Sequence, residues 1–539
     1  MLAFPVLYAG RSLDDNTLTN WQWVFRQGGA VQVFLLTTAA VFLSLLLSKI
    51  EPDPGRYPLI LFFAAAAAVV PLWGEPEVIL DAGRYFSQAK HLEMNGPASF
   101  LREWGGGISA WTDLPAIPFA YGVLFRVFGE TRFAVQCFTS LLFCLSVVST
   151  YRIGRALWNA EAGFLAGLLL LAFPYLLVQV PLMLVDVPVM ALVTFSLDAF
   201  LEAINKGGLR RAAVAAAFIV LAVSAKFSAW MMLFVLPLSA AVAVLSGDRI
   251  AARRAVLVLG AASVLCGLLV AAKYEVIAGQ LRLLREYQLP GLGRWRESSF
   301  STLFFQIHPF VALLSAWGAV MAVRNRNMRF LVPLWSVLFA VALQVGRIRY
   351  LLPLFPLFAL TAAYGLHELT VDSRVRRVVV FSAAGASLVL ACFAYLPFLN
   401  SSTMANLRDA GGYLNGLPGE TVEVYVLPQQ RSIGSTEASI PLLDLFSRKR
   451  IVRRQERLPR PDESKLLTSP LRFTWEAGQS TLYAGGSDDR GSIRVIISSE
   501  EDAASTGSAG KRFAKDTGTF RYRTVVTVLD RSQLAQKAQ

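Results

Sequence analysis

PLILFFAAAAAVVPLWGEPEVILDAGRYFSQAKHLEMNG, residues 58–96, decides how the rest of the chain is read. Its first half is an unbroken apolar run of the length that crosses a hydrocarbon core about 30 Å thick. Its second half is polar, with apolar residues recurring at helical spacing from residue 82 to 95. Asp81 stands where the chain leaves the apolar run, followed by Arg84 and Tyr85. A carboxylate fixed at a membrane surface beside an Arg-Tyr pair is placed to act on something presented by a lipid, so the chemistry is sought there.

The same contrast recurs along all 539 residues, of which 55% are hydrophobic and 16% charged. This composition excludes a water-soluble globule and predicts a polytopic α-helical membrane protein. Long apolar runs without period-2 alternation exclude a membrane β-barrel, and only helices then satisfy their own backbone in lipid. About 12 spans are expected, near residues 31–48, 58–74, 131–150, 162–180, 184–204, 211–225, 227–246, 255–272, 303–323, 330–345, 351–368 and 376–397. Residues 1–30 are an N-terminal segment of unread function. The opening MLAFPVLYAG is too short to span and lacks a basic stretch with a cleavage site, so no removed signal peptide is expected.

The net charge of +14 does not point to nucleic acid, because Lys and Arg are parcelled into short loops between apolar runs. With the spans above, the clusters at Lys49/Arg56, Arg152/Arg155, Lys206/Arg210/Arg211, Arg249/Arg253/Arg254, Arg324/Arg326/Arg329 and Arg374/Arg376/Arg377 share one side, which the positive-inside rule makes cytoplasmic. Counting DLPAIPFAYGVLFRVFG (113–129) as a span would spoil every later loop. It is therefore laid at the outer interface or as a re-entrant segment, which Pro115 and Pro118 tolerate. Residues 75–130 become one large outer loop holding Asp81 and Asp113.

After residue 397 the composition turns polar. TVEVYVLP, LRFTWEAG, STLYAGG, SIRVIISS and YRTVVTVLD read as short strands, with a basic helical stretch near 441–457 and a flexible loop at SSEEDAASTGSAGK. Residues 398–539 are thus expected to form a soluble C-terminal α/β domain on the extracytoplasmic side, below a transmembrane domain of residues 31–397.

Charges inside apolar runs single out further residues. An Asp at the bilayer centre costs about 2.5–3.5 kcal/mol on insertion scales, so such residues face a wet cavity or mark function. Asp186, just before Pro188, is placed at the outer end of a helical hairpin. Lys226, in FIVLAVSAKFSAWMMLFVLP, is placed at the same face and suits a phosphate. The bland alternatives are an interfacial turn for Asp186 and a snorkelling lysine for Lys226. Arg347 and Arg349 put positive charge on the outer side, against the orientation bias, and the planar guanidinium fork matches phosphate oxygens. Lys273, Arg282, Arg285, Arg294 and Arg296 make the same argument more weakly, since a helix lying on anionic headgroups has that pattern.

Metal and thiol chemistry find no support. The four cysteines lie in apolar runs without a CxxC pair, and the three histidines are dispersed. GGG at 105–107 is not a P-loop, because no Lys-Ser/Thr follows, and no Gly-x-Ser-x-Gly elbow is present.

The order of parts, DAGRY (81–85), TDLPAIPFAYGVLFRVFG (112–129), YRIGRALW (151–158), VDVP (185–188), SAKFSAW (224–230) and RIRYLLPLFP (347–356), resembles the GT-C glycosyltransferase superfamily. The likeness is to its bacterial branch, similar to protein O-mannosyltransferases and the lipid A aminoarabinose transferase, and covers roughly residues 58–370. The resemblance implies an inverting transferase of a bacterial inner membrane. It would move a sugar from a polyprenyl (undecaprenyl) phosphate carrier to a lipid, glycan or protein acceptor on the extracytoplasmic side. It makes Asp81 the catalytic base and Asp186 the second acidic position, orienting acceptor or sugar together with Asp113, Arg84 and Tyr85. Lys226, Arg347 and Arg349 match positions that hold the carrier phosphate. Two departures stand out: Ala82 follows Asp81 where many relatives have a second acid, and Asp113-Leu114-Pro115 replaces a Lys before the Pro. The first weakens a divalent metal held on paired carboxylates, so no cofactor is assigned and a divalent metal stays open; the second leaves Asp113 as a rival base. The competing reading is a non-catalytic protein that binds or flips a polyprenyl lipid.

Overall fold

The computed structural model describes residues 3–74, 77–292, 297–342, 346–369, 371–428, 434–454, 458–467, 469, 471–477, 481–484, 491–498, 510–514 and 524–530. Among them, eight helices are long and apolar enough to cross a membrane: Ala30–Leu47, Pro54–Leu72, Arg132–Leu157, Asp186–Lys206, Phe227–Leu245, Arg249–Ala272, Ile348–His367 and Ser373–Ser402. A ninth is made if Ser299–Ile307 and Pro309–Arg324, which meet at 115°, act as one broken span. The protein is a multi-pass membrane protein. The runs expected to span at 162–180, 211–225 and 330–345 form, among the described residues, helices that fall short of a spanning length. Ala160–Leu169 passes into a 3-10 turn at Leu170–Ala172, and Pro174 then opens a separate helix, because its ring cannot continue the earlier one. Leu209–Val223 and Leu331–Ala342 complete the set.

Helices Ile348–His367 and Asp186–Lys206 are the most enclosed, whereas Ala30–Leu47 and Arg249–Ala272 are mostly uncovered. The uncovered faces carry Leu35, Phe42, Leu46, Val256, Leu257, Val264 and Leu268. In lipid such a face needs no protein partner, since helices bond their own backbone. Inner helices approach closely through small residues. Gly318 and Gly365 meet where Pro309–Arg324 crosses Ile348–His367, and a Cβ on Gly365 would fall 2.0 Å from the Leu314 carbonyl oxygen.

The segment before Ala30 is tied down by one buried carboxylate. Asp14 accepts from the Trp21 and Asn16 amides at 2.9 and 3.1 Å, from Ser301 Oγ at 2.7 Å and from Gln306 Nε2. Trp21 Nε1 donates to the Phe305 carbonyl at 2.7 Å.

Past residue 415 the chain forms a five-stranded sheet of order β2-β1-β3-β5-β4, with β1 Thr421–Val426, β2 Arg450–Arg453, β3 Ile493–Ser498, β4 Lys511–Phe513 and β5 Val525–Asp530. β1 runs parallel to β2 and β3, with Val422 opposite Ile451 and Ile493, while β5 is antiparallel to β3 and β4. The parallel β1–β2 pair needs a crossover, supplied by the helix Ser439–Phe446. The expected basic helix over 441–457 therefore ends at Phe446. Ile451 and Val452 are β-branched, fit a half-buried pleat, and go into the sheet. LRFTWEAG and STLYAGG are corrected in the opposite sense: Phe473–Ala477 is helical and Thr481–Tyr483 a 3-10 turn. β4 was not foreseen, and most of the loop read in SSEEDAASTGSAGK lies outside the described residues.

The helix contact at Gly365 yields a test. Gly365→Ala forces the Leu314 backbone to move and is expected to cost about 1–3 kcal/mol, as overpacking does. Thermal unfolding in detergent should show the loss, whereas Gly260→Ala, with nothing within 4 Å of the added Cβ, should unfold like the parent.

A candidate active site built from alternating charges

Three of the charged residues that stood out in apolar sequence lie in the first turn of a helix. Asp81 is the second residue of Leu80–Glu103 and Asp186 the first of Asp186–Lys206, so both carboxylates sit at the positive end of a helix dipole. Arg349 is in the first turn of Ile348–Leu351, and Lys226 directly precedes Phe227–Met232. The folding rule is local: each apolar run can start a helix only where its free amides find water or an anion.

These ends converge. Lys226 Nζ lies 2.6 Å from Asp186 Oδ1, and Asp186 Oδ2 accepts from Arg349 Nε at 2.9 Å. Arg349 Nη1 donates to Asp81 Oδ2 at 2.6 Å, and Arg84 Nη2 approaches Asp81 Oδ1 to 3.7 Å. Arg84 then grips Asp113, Nε at 2.6 Å and Nη2 at 2.9 Å from its two oxygens. The result is one chain, Lys226–Asp186–Arg349–Asp81–Arg84–Asp113, in which cations and anions alternate and cancel.

Connections hold the ends in register. Tyr121 donates to the Leu184 carbonyl at 2.8 Å, fixing the turn before Asp186. The Ala116 amide donates to the Ser224 carbonyl at 3.1 Å, joining the helix Ala116–Phe128 to the Lys226 turn. That helix occupies most of the stretch 113–129 expected at the outer interface or as a re-entrant segment. Gln280 Nε2 donates to the Asp113 carbonyl at 2.7 Å, and Gln88 Nε2 reaches Asp113 Oδ2 at 3.4 Å. Trp111, two residues earlier, has φ +47°, a left-handed conformation rare for a bulky residue.

The members differ in access. The side chains of Lys226 and Asp81 are 25% and 19% exposed, those of Asp186 and Asp113 1% and 7%. Burial raises the Asp81 carboxyl, but the charges of Arg349 and then Arg84 outweigh it and the net shift is downward. For Asp113 burial wins over Arg84 and its carboxyl is raised. Burial also lifts the Tyr85 hydroxyl well above its ordinary value, so it stays protonated while its oxygen accepts from Arg84 at 3.3 Å.

Of the residues singled out from sequence, Arg347 stands apart from the chain of pairs just traced, 5.6 Å over the Tyr350 ring, with its charge acting on Glu77. Glu77 was not foreseen. It accepts from Gln179 Nε2 at 2.6 Å, and burial raises its carboxyl against that bond and the charges of Arg349 and Arg347. The signal was present, four residues before Asp81, but an acid in a polar loop has no apolar background to stand out from. Lys273 donates to the Arg102 and Trp104 carbonyls, while Arg294 and Arg296 lie outside the described residues. The histidines have local partners: His91 with Glu103, His308 with the Phe310 amide, His367 with Asn159. Among the described residues no group of three or more His, Cys, Asp or Glu is placed to hold a metal.

Because the charges are shared, removing the most buried anion should be severe. Asp186→Ala leaves Lys226 and Arg349 facing each other, and loss of one partner of a buried pair costs about 3–5 kcal/mol. Unfolding in detergent should show this loss, and Lys226→Met, at the wetter end, a smaller one.

Comparison with known proteins agrees with this architecture. Residues 113–272 match the family described as dolichyl-phosphate-mannose-protein mannosyltransferase. No curated protein matches the sequence. Among solved structures, ArnT from Cupriavidus metallidurans bound to undecaprenyl phosphate superposes with a TM-score of 0.56 at 14% identity, covering 87% of this chain and 97% of that one. The apo state of the same ArnT gives 0.55 at 14% identity, covering 88% and 98%. The order of motifs, the match over 113–272 and the shared architecture agree: this chain is a membrane protein of the GT-C glycosyltransferase fold.

Proposed function

We propose that the protein is an inverting glycosyltransferase that moves a sugar from a polyprenyl-phosphate carrier to an acceptor hydroxyl or amine. We place the reaction at the outer face of a bacterial plasma membrane, with residues 398–539 on that side. The observation that carries the reading is the alternating chain of charges around Asp81. The family match over residues 113–272 and the carrier lipid bound to the similar ArnT support it.

The charge balance gives the residues their roles. A carrier phosphodiester brings one negative charge to a chain that is neutral as a whole. Lys226, the most accessible cation, has ammonium protons beyond the one given to Asp186, and meets the phosphate first. The acceptor atom attacks the anomeric carbon as the bond from that carbon to the carrier oxygen breaks. The electron pair leaves with the phosphate, which becomes a dianion. The acceptor proton, acidified as the new bond forms, passes to Asp81, so a carboxylate with a lowered pKa suffices as base. Protonated Asp81 no longer holds Arg349, and that guanidinium turns its charge to the departing phosphate at the moment the second negative charge appears. Asp186 keeps Arg349 and Lys226 side by side throughout. Asp113, clasped by two Arg84 nitrogens and nearly enclosed, orients Arg84 and is a poorer base on access alone.

Transfer by purified protein from a panel of radiolabelled polyprenyl-phosphate sugars to a membrane extract tests this. Asp81→Asn is expected to lower kcat by about 10² to 10⁴, the usual worth of a positioned base. Carrier binding without transfer by the wild type, from any donor, would leave a lipid-binding protein. Alanine at Lys226 should raise the donor KM, and unchanged donor kinetics would remove it from the phosphate site.

The pH profile separates the two carboxylates. Because Asp81 is shifted downward, the base is ionised above the ordinary carboxylate range, and kcat/KM should show no acid limb from it between pH 5 and 7. A limb in that window that disappears in Asp113→Asn would assign the proton to Asp113, whose shift is upward.

A further inference from the structure

The helix Leu80–Glu103, broken at Gly96 where φ is +83°, has two working faces in the part before the break. At about 100° per residue, Arg84, Tyr85 and Gln88 lie within roughly 60° of Asp81, while Gly83, Ser87 and Lys90 lie about 180–240° away, on the back. The front carries the charged chain. The back is covered by residues that come more than 350 positions later.

A Cβ on Gly83 would lie 3.2 Å from Leu442 Cγ and from Pro441 Cβ, so the crossover helix Ser439–Phe446 presses against bare backbone there. Ser87 meets the Tyr483 hydroxyl. Lys90 Nζ lies 2.8 Å from Asp444 Oδ2, whose side chain is 1% exposed, and 3.0 Å from Glu130 Oε2. Tyr483 donates to the same Asp444 oxygen at 3.0 Å. At the flank, the Phe473 ring lies 5.5 Å from the Arg84 guanidinium carbon. The crossover helix cannot shift without dragging the sheet, since its next residues run into β2, paired along β1.

We propose that the sheet-bearing unit after residue 415 positions the base: Asp444, through Lys90, fixes the rotation of the helix that carries Asp81. This rests on the function proposed above. Lys90 is nine residues from Asp81, about 13 Å along the axis. A rod held at its back by a lysine shared between Asp444 and Glu130 and by one glycine contact keeps its front at a fixed angle. Asp444 and Lys90 are thus positioning residues, touching no substrate. Only a charged pair makes a contact of this length directional, because Asp444 would otherwise be a buried anion without a counter-ion. Burial pushes the Asp444 carboxyl up to about 6, with Lys90 opposing, so at pH 7.5 the pair is charged.

The test uses full-length protein at pH 7.5 with Asp444→Asn, Lys90→Met and the double variant. Hydrogen exchange of residues 80–92 reports the clamp, and kinetics with whichever polyprenyl-phosphate sugar the wild type uses report its consequence. Each single variant is expected to speed exchange in this helix and lower kcat by about tenfold to a hundredfold, as small misplacements of a reacting group do. Donor KM should move by less than about twofold, the mark of an interaction felt at the transition state alone. Asp444→Asn should cost little more once Lys90→Met is made, because the two act as one unit. Unchanged exchange, faster exchange with unchanged kcat, or a loss of kcat matching a loss of folded protein would each overturn the proposal. Those results are read in an active wild type and leave the proposed function standing. A wild type that transfers sugar from no donor overturns the proposed function, and this proposal with it.

Discussion

Six charges that neutralise one another in sequence of contact, Lys226, Asp186, Arg349, Asp81, Arg84 and Asp113, are what the remaining packing serves. None of them is stable alone at its depth, because an unpaired charge out of water costs several kcal/mol. They come from widely separated segments, so pairing them requires the starts of three helices and two intervening turns to meet at one place. The close helix crossings at glycine and the bonds from Tyr121, Ala116 and Gln280 bring this about. A chain of pairs also has a property that an isolated pair lacks. Neutralising one member passes a free charge along the line, so in the reaction proposed above proton uptake at Asp81 would free the guanidinium of Arg349.

Much of this centre could be read without coordinates, for one physical reason. Asp186, Lys226 and Arg349 interrupt apolar runs, where a charge is costly and therefore conspicuous, and Asp81 marks the edge of one. Gln88 and Gln280 touch the same centre, and Glu77 feels the charge of Arg349, but all three sit in stretches of mixed polarity, where another polar side chain carries no contrast. Arg347 and Arg349 look alike in sequence, two residues apart, yet the helix starting at Ile348 turns them to different neighbours. The long helices were equally legible from apolar length, whereas the runs at 162–180, which Pro174 divides, and 211–225 form helices too short to count as spans. The sheet-bearing unit was harder. Phe473 and Trp475 read as strand residues because aromatic, β-favouring residues are common in strands. Long-range contact decides otherwise, and the helix they form closes over Arg84. The partnership of Lys90 with Asp444 spans 354 residues and leaves no periodicity to detect.

Trp111 belongs with these positions. Its left-handed backbone turns the chain just before Asp113, and its ring packs against Tyr287 with Arg472 above both. A residue held in such a conformation is kept there by surroundings that over-determine it. Here the surroundings are three: the loop that bears it, the helical segment after residue 274, and the C-terminal unit. The loop bearing Asp113 is therefore shaped from outside the helical core.

Asp14 has a consequence for the order in which the chain is built. Its distant partners Ser301 and Gln306 are 287 and 292 residues further along, so when the ribosome has made Asp14 to Trp21 only the Asn16 and Trp21 amides are there for the carboxylate. Chains are made from the N-terminus onward at about 5–20 residues per second, which puts a wait of roughly 15–60 seconds between the carboxylate and its hydroxyl partner. The Asp14 segment completes its contacts only once the region from Ser301 to Gln306 exists, so an early part of the chain is among the later ones to reach its native place.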